Sequence, residues 1–206
     1  MKWNKRFNYP KSLRSNEDGL RKYLFDDEKL PSVTSILDAT KPEEDKAALA
    51  NWRERTGEEL ANKIQKEAAS RGTMMHKYLE DYLQGRINLS FFESNEQHKL
   101  MAKEIIDKGI SSKLDEIWGV ETTLYYPGKY AGTADCVGIY EGKETIIDFK
   151  QSNKPKKIDY IESWLLQISA YSLAHNVVYG TNITLGLILM CTKDNFFQEF
   201  KIENEV

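Results

Sequence analysis

Gly132-Thr133-Ala134-Asp135 and, one turn later, Ile146-Ile147-Asp148-Phe149-Lys150 are the two stretches on which the reading of this chain turns. In an extended strand successive side chains face opposite ways, so Asp148 and Lys150 share one face while Ile147 and Phe149 share the other. A carboxylate and an ammonium thus stand side by side at the end of an otherwise apolar strand. Charges there are costly to bury unless they pair or hold a metal. One hairpin earlier Asp135 places a second carboxylate on a neighbouring strand. Gly132 and Ala134 leave that side open for something bulky to pack. Two carboxylates converging from adjacent strands make a hard-oxygen site, suited to Mg²⁺ or Mn²⁺ rather than zinc. Lys150 beside them can orient a water, help deprotonate it, or stabilise charge in a transition state. Read alone, Asp148 and Lys150 also fit a structural ion pair, so their companions decide.

Those companions are spread along the chain. Glu121 lies in a strand-like Val120-Glu121-Thr122-Thr123. His76 and Glu80 are four apart, hence on one helical face, as are Gln167 and Tyr171. Each has a plain alternative. Glu121 fits the wet face of a strand, His76 a surface histidine, and Tyr171 a place partly in the core. His98 and His175 have no such company and read as structural. Lys150, Lys154, Lys156 and Lys157 form a basic patch that also fits a solvated loop.

Around this centre the chain changes texture at Ile117. Before it, Lys22–Phe25, Asp26-Asp27 and Lys29-Leu30 suggest a loose hairpin. Ser32 reads as the cap of a short helix over Val33–Leu37. Glu43–Ser70 is Ala-, Glu- and Lys-rich and reads as helix interrupted near Gly57. Arg71–Leu83 is a second helical stretch, closed by Gly85. Ser94-Asn95-Glu96-Gln97 has capping-box form and leads a third helix through Ile110. After it come the strands Ile117–Tyr126, Gly132–Tyr140 and Glu144–Lys150, an antiparallel meander. Ile158–Tyr179 is helix, with Trp164, Leu165, Ile168, Tyr171 and Leu173 on its buried side. Ile183–Cys191 and Phe196–Ile202 form a last strand pair. The expected fold is α+β: a mostly antiparallel or mixed five-stranded sheet flanked by helices, with an N-terminal helical region packed on it.

Composition sets outer limits. The 206 residues are 40% hydrophobic and 30% charged, those of an ordinary globular protein. No apolar run approaches the ~20 residues of a membrane span, so no membrane partner is expected. A basic N-terminus without an apolar core after it gives no signal peptide, and cytoplasm is the default location. Cys136 and Cys191 are too few and too far apart for a thiolate metal site. The net charge of −3 argues against a protein that coats nucleic acid through many phosphate contacts, but not against an enzyme with a local basic patch.

In order, His76, Glu121, Gly132-Thr133-Ala134-Asp135, Asp148-Phe149-Lys150 and Gln167-Ile168-Ser169-Ala170-Tyr171 resemble the PD-(D/E)XK nuclease superfamily, in its RecB-like exonuclease branch. Pro31–Leu37 and Arg71-Gly72-Thr73 leading to His76 are similar to mitochondrial genome maintenance exonucleases and their phage relatives. The resemblance spans roughly residues 31–175. Ala134 stands where the superfamily nominally has Pro, and the cysteine cluster of the iron–sulfur branch is absent.

The resemblance implies a restriction-endonuclease-like core and one nuclease domain over residues 1–206, with 1–115 covering the site and 116–206 forming the core. It implies a Mg²⁺ ion, replaceable by Mn²⁺, on Asp135, Asp148, the Phe149 carbonyl and His76 or Glu121. Lys150 would act on the attacking water, with Gln167 and Tyr171 near the scissile phosphate. Lys154, Lys156, Lys157, Arg71 and Trp52 would touch DNA. Trp52, Tyr78 and Tyr82 are candidates for stacking on bases, though aromatics at helical spacing also fit a core. The implied activity is a DNA exonuclease on single strands or strand ends, in phage or bacterial cytoplasm, with a recombinase or helicase as conceivable partner. A structure-specific or restriction-like endonuclease and an inactive DNA-binding accessory protein are the competing readings. Covalently closed single-stranded circles separate the first two, because an end-dependent enzyme leaves them intact.

Overall fold

The computed structural model describes residues 1–17, 19–25, 28–89 and 94–203. In chain order its main elements are β1 (Lys2–Trp3), β2 (Leu13–Glu17), β3 (Leu20–Phe25), β4 (Glu28–Pro31), α1 (Val33–Ala39), α2 (Glu43–Thr56), α3 (Glu58–Leu83) and α4 (Gln97–Ile105). Then follow β5 (Leu114–Tyr126), β6 (Tyr130–Tyr140), β7 (Lys143–Ser152), α5 (Glu162–Tyr179), β8 (Leu185–Thr192) and β9 (Phe197–Glu203).

The expected α+β fold and its mixed central sheet are present. The five strands read from sequence are β5 to β9, and β1 adds a sixth at the edge, in the order β1-β5-β6-β7-β8-β9. β5, β6 and β7 form the antiparallel meander. β7 and β8 are parallel, a pairing that no tight turn can make, and α5 supplies the crossover. β8 is buried at every position, which is why it reads as an unbroken apolar run.

Strand alternation sorts the core into two layers. Cys136, Ile147, Phe149, Leu187 and Leu189 face Met75, Leu79 and Leu83 of α3 and Met101 and Ile105 of α4. Ala134, Val137, Ile146, Ile188 and Met190 face Ile168, Tyr171 and Ala174 of α5 and Val33 of α1. Each such large apolar side chain contributes about 1.5–3 kcal/mol when fully buried, which outweighs weak local propensities. A smaller antiparallel sheet, β2-β3-β4, packs Tyr23, Phe25 and Leu30 on Ala131 and Tyr125. The loose hairpin is therefore β3 and β4 of a three-stranded meander, and its turn at 26–27 lies outside the described residues.

Several local expectations are corrected. Gly57 does break the helix, at φ 82°, but the two stretches expected to either side of Ser70 and Arg71 form one helix, α3. Gly72 costs that helix about 1 kcal/mol relative to Ala, and the packed Met75-Leu79-Leu83 face offsets it. Ser94 makes no capping box: its hydroxyl accepts from the Glu96 N–H at 3.1 Å, and α4 starts at Gln97. Leu173 is 55% exposed rather than buried, because Ile168, Tyr171 and Ala174 set the sheet-facing side of α5. Tyr78 and Tyr82 pack against the α3–α4 core, which leaves only Trp52 of the three proposed stacking aromatics beside a cleft. Among the described residues no helix is long and apolar enough to cross a membrane.

The N-terminal segment is fastened by a buried histidine. His175 Nε2 lies 3.0 Å from the Tyr9 hydroxyl and its Nδ1 2.7 Å from Thr181 Oγ1, within rings of Phe7, Trp118 and Tyr179. Burial, and secondarily the Arg6 charge, push its pKa down to about 4. A histidine buried neutral takes up a proton on unfolding, so its stabilising contribution is complete above the unfolded value of ~6.5 and is lost as pH falls toward 4. Urea unfolding at pH 7.0, 6.0 and 5.0 should show falling stability, and His175→Phe should flatten that slope. An unchanged slope in the variant would rule the histidine out as its source.

Candidate functional site

The site begins where two paired strands stop pairing. The β6–β7 ladder runs from Tyr140 opposite Lys143 to Cys136 opposite Ile147 and ends there. At the next position the Asp135 side chain replaces main-chain pairing, its Oδ2 accepting from the Phe149 N–H at 2.6 Å. That bond fixes one carboxylate oxygen and leaves the other, Oδ1, 3.4 Å from His76 Nδ1 on α3.

Asp148 is buried on the face of β7 turned toward α5. It forms an ion pair with Lys150, and its Oδ1 accepts from Gln167 Nε2 at 3.0 Å. Gln167 Oε1 accepts from Lys150 Nζ at 3.2 Å, and Gln167 Nε2 lies 3.3 Å from the Tyr171 hydroxyl. One helix turn of α5 therefore joins acid, base and phenol in a single network. Burial pushes the Asp148 carboxyl up, against the pull of Lys150.

His76, Glu121 and Asp135 form a second group, each offering a ligand atom within 4.8 Å of the others. Glu121 sits in β5 at φ 50°, a left-handed conformation that a non-glycine residue adopts at a cost of roughly 1–2 kcal/mol. Burial and the Asp135 charge raise its carboxyl to about 7. Burial works against the His76 imidazolium, but the charge and hydrogen bond of Asp135 prevail and hold its pKa at about 9. Asp135 is held below its usual range against burial, chiefly by His76. A field that retains a proton on His76 also favours a divalent cation, and the two compete for the same atoms. One imidazole nitrogen and two carboxylates at this spacing fit such an ion.

All seven side chains singled out for chemistry line one cleft of about 470 Å³: His76, Glu121, Asp135, Asp148, Lys150, Gln167 and Tyr171. The grouping differs from expectation in one respect. The close cluster is His76 with Glu121 and Asp135, while Asp148 is engaged by Lys150 and Gln167. Phe149 sends its ring into the α3–α4 core and its N–H to Asp135. Of the residues expected to touch DNA, Trp52, Arg71, Lys154 and Lys156 line a neighbouring cleft, joined by Trp164 and Lys193. Lys157 lines neither cleft. Arg71 is tied to Gln151 at 3.0 Å and to Asn153.

Arg14, Arg21, Tyr23, Thr73 and Lys77 also line the first cleft, and sequence reasoning missed them. A hairpin from Lys22 to Leu30 was legible, but neither the strand β2 nor the folding of the small sheet over the site was.

No family model matches the chain. The chain is similar to mitochondrial genome maintenance exonuclease 1 from Mus musculus, with 33% identity over 173 residues. The proteins of that name from Homo sapiens and Xenopus tropicalis are 30% and 32% identical over 178 and 175 residues. The alignments cover 80% of this chain, which spans about half the length of these curated relatives. Among solved structures, the crystal structure of SSO0001 aligns at 13% identity and a TM-score of 0.29 over 65% of this chain and 77% of that one, too loosely to bear on fold or function.

The Tyr171 ring occupies the space that Gly132 leaves, since a Cβ there would fall 2.4 Å from Tyr171 Cε1. Gly132→Ala must therefore displace the ring and should cost about 1–3 kcal/mol in urea unfolding, as overpacking does. The penalty should shrink in a Tyr171→Leu background. Equal stability of Gly132→Ala and the parent protein would show that the ring is not fixed there.

Proposed function

We propose that this chain is a metal-dependent DNA exonuclease of the PD-(D/E)XK type, acting on single strands or strand ends. The observation that carries this reading is the convergence of the ordered motif residues, from His76 on α3 to Tyr171 on α5, in one cleft. The similarity to three proteins named exonucleases supports it.

His76, Glu121 and Asp135 are the residues that would hold the ion, Mg²⁺ with Mn²⁺ as substitute, and Asp148 borders them. When bound, such an ion polarises a phosphoryl oxygen and lowers the pKa of a water. The protein's own part is positioning and charge. Lys150, steadied by Asp148 and Gln167, presents an ammonium to the water that attacks the phosphodiester in line. Its charge also stabilises the developing negative charge, an effect strongest in a partly buried site. Gln167 sets the direction of the Tyr171 hydroxyl toward the same space. The products are a 5′-phosphate and a 3′-hydroxyl.

Residues 1–115 and 116–206 act together as one nuclease domain in this reading, since α3 of the first supplies both His76 and core side chains to the second. The neighbouring cleft, with Trp52 and Trp164 among Arg71, Lys154, Lys156 and Lys193, suits an unpaired strand whose bases stack and whose phosphates meet cations.

Cleavage of end-labelled single- and double-stranded DNA should require Mg²⁺ or Mn²⁺ and stop with EDTA. Asp135→Asn, Asp148→Asn and Lys150→Ala should each lower the rate by at least ~10²–10³-fold while far-ultraviolet circular dichroism shows the fold retained at the assay temperature. Calorimetric titration should show Mn²⁺ binding weakened by His76→Ala and by Glu121→Gln. Wild-type rates in all three core variants would remove the assignment. DNA binding without cleavage in either metal would establish the accessory reading instead.

A further inference from the structure

The small sheet does more than cap the core. Register pairs Arg14 with Tyr23 and Asn16 with Arg21 across β2 and β3. Cross-strand partners share a face, and so do residues two apart in one strand. Arg14, Arg21 and Tyr23 therefore project from one face, and Leu13, Lys22 and Leu24 from the other. Burial agrees: Tyr23, Phe25 and Leu30 are buried against β5 and β6, while Leu13 and Leu24 are exposed. The Tyr23 hydroxyl lies 3.1 Å from Thr133 Oγ1, two residues before Asp135. The buried half of the face anchors the sheet, and its remaining half, carrying the two arginines, overhangs the cleft that holds Asp135, Asp148 and Lys150.

Neither guanidinium has an ion-pair partner among the described residues, although both are exposed and line a cleft rich in acids. Glu17, on the opposite face, is instead taken by Lys22 and Lys29. Asp135, Asp148, Glu121 and Glu80 would by themselves repel a polyanion. An unpaired guanidinium presents a planar fork of donors that matches phosphate oxygens.

We propose that Arg14 and Arg21 form a clamp for a phosphodiester group of the substrate strand, beside the scissile one. This rests on the nuclease reading and adds positioning residues to it. The two arginines hold the backbone while Lys150 and the acids act on the neighbouring linkage, so they contribute to binding rather than to the chemical step.

Anisotropy of a fluorescein-labelled oligothymidylate in EDTA, over a NaCl series, tests this on the full chain without cleavage. Arg14→Gln and Arg21→Gln should each weaken binding roughly tenfold, as loss of a charge-assisted contact does, and flatten the plot of log K against log salt by about 0.7. Arg→Lys at each position should restore the salt slope, since a lysine also neutralises a phosphate, but not the full affinity. Lys22→Gln, on the other face of the same sheet, should change neither quantity. In single-turnover cleavage with Mg²⁺ the half-saturating enzyme concentration should rise while the saturated rate holds. A single neutral methylphosphonate at the contacted linkage should erase the penalty of Arg→Gln. The clamp is refuted if both Arg→Gln variants match Lys22→Gln in affinity and slope, or if only their saturated rate falls. If the wild type cuts nothing with either metal, the nuclease reading fails, while the anisotropy series still decides whether the arginines hold phosphate.

Discussion

The hydrogen bond from the Phe149 N–H to Asp135 Oδ2 is the constraint around which this molecule is arranged. In an unbroken antiparallel ladder the amide would meet a main-chain carbonyl, and the carboxylate would have no reason to lie between the strands. Because the β6–β7 pairing ends at Cys136 and Ile147, an acidic side chain takes the place of a carbonyl. The bond satisfies a buried donor and at the same time holds a carboxylate at low exposure. An unpaired amide there would cost ~1–3 kcal/mol, so strand geometry and acid position are stabilised together. The other carboxylate oxygen then faces His76, and through it α3 becomes part of the site.

What surrounds that bond is a balance of charges in a confined space. Asp148 is buried and stays compatible with burial because Lys150 and Gln167 engage both of its oxygens. Removing either partner would leave an uncompensated buried group, which is why pairs of this kind change as units. His76, Glu121 and Asp135 hold one another in mutually perturbed states, the imidazole raised and the two carboxyls driven apart. Groups whose surroundings push them apart in this way cluster where a fold does chemistry. The left-handed backbone at Glu121 fits the same account, as local strain held by a well-packed sheet.

Some of this was legible and some was not, and the division follows the range of the interactions. Asp148 and Lys150 opposite Ile147 and Phe149 is a local consequence of strand geometry, and the two-layer core bears it out. The room left by Gly132 was visible as a missing side chain, but that Tyr171 fills it depends on the angle at which α5 crosses the sheet. Leu173 was misassigned because α5 is apolar on nearly every side, so periodicity could not choose the buried face. Helix boundaries slipped where a change of composition or one serine was given more weight than packing, as between Ser70 and Arg71 and at Ser94.

The sequence by itself determined which residues carry charge and polarity, the order of the strands and helices, and the alternation that brings Asp148 and Lys150 to one face. Tertiary structure alone decided that His76 and Glu121, rather than Asp148, close around Asp135, and that a small N-terminal sheet overhangs the cleft with two arginines. The physical reason is distance along the chain. Periodicity reports the direction of a side chain relative to its own strand or helix, whereas a site depends on how separate elements dock, and docking is set by the shape of the buried surfaces between them.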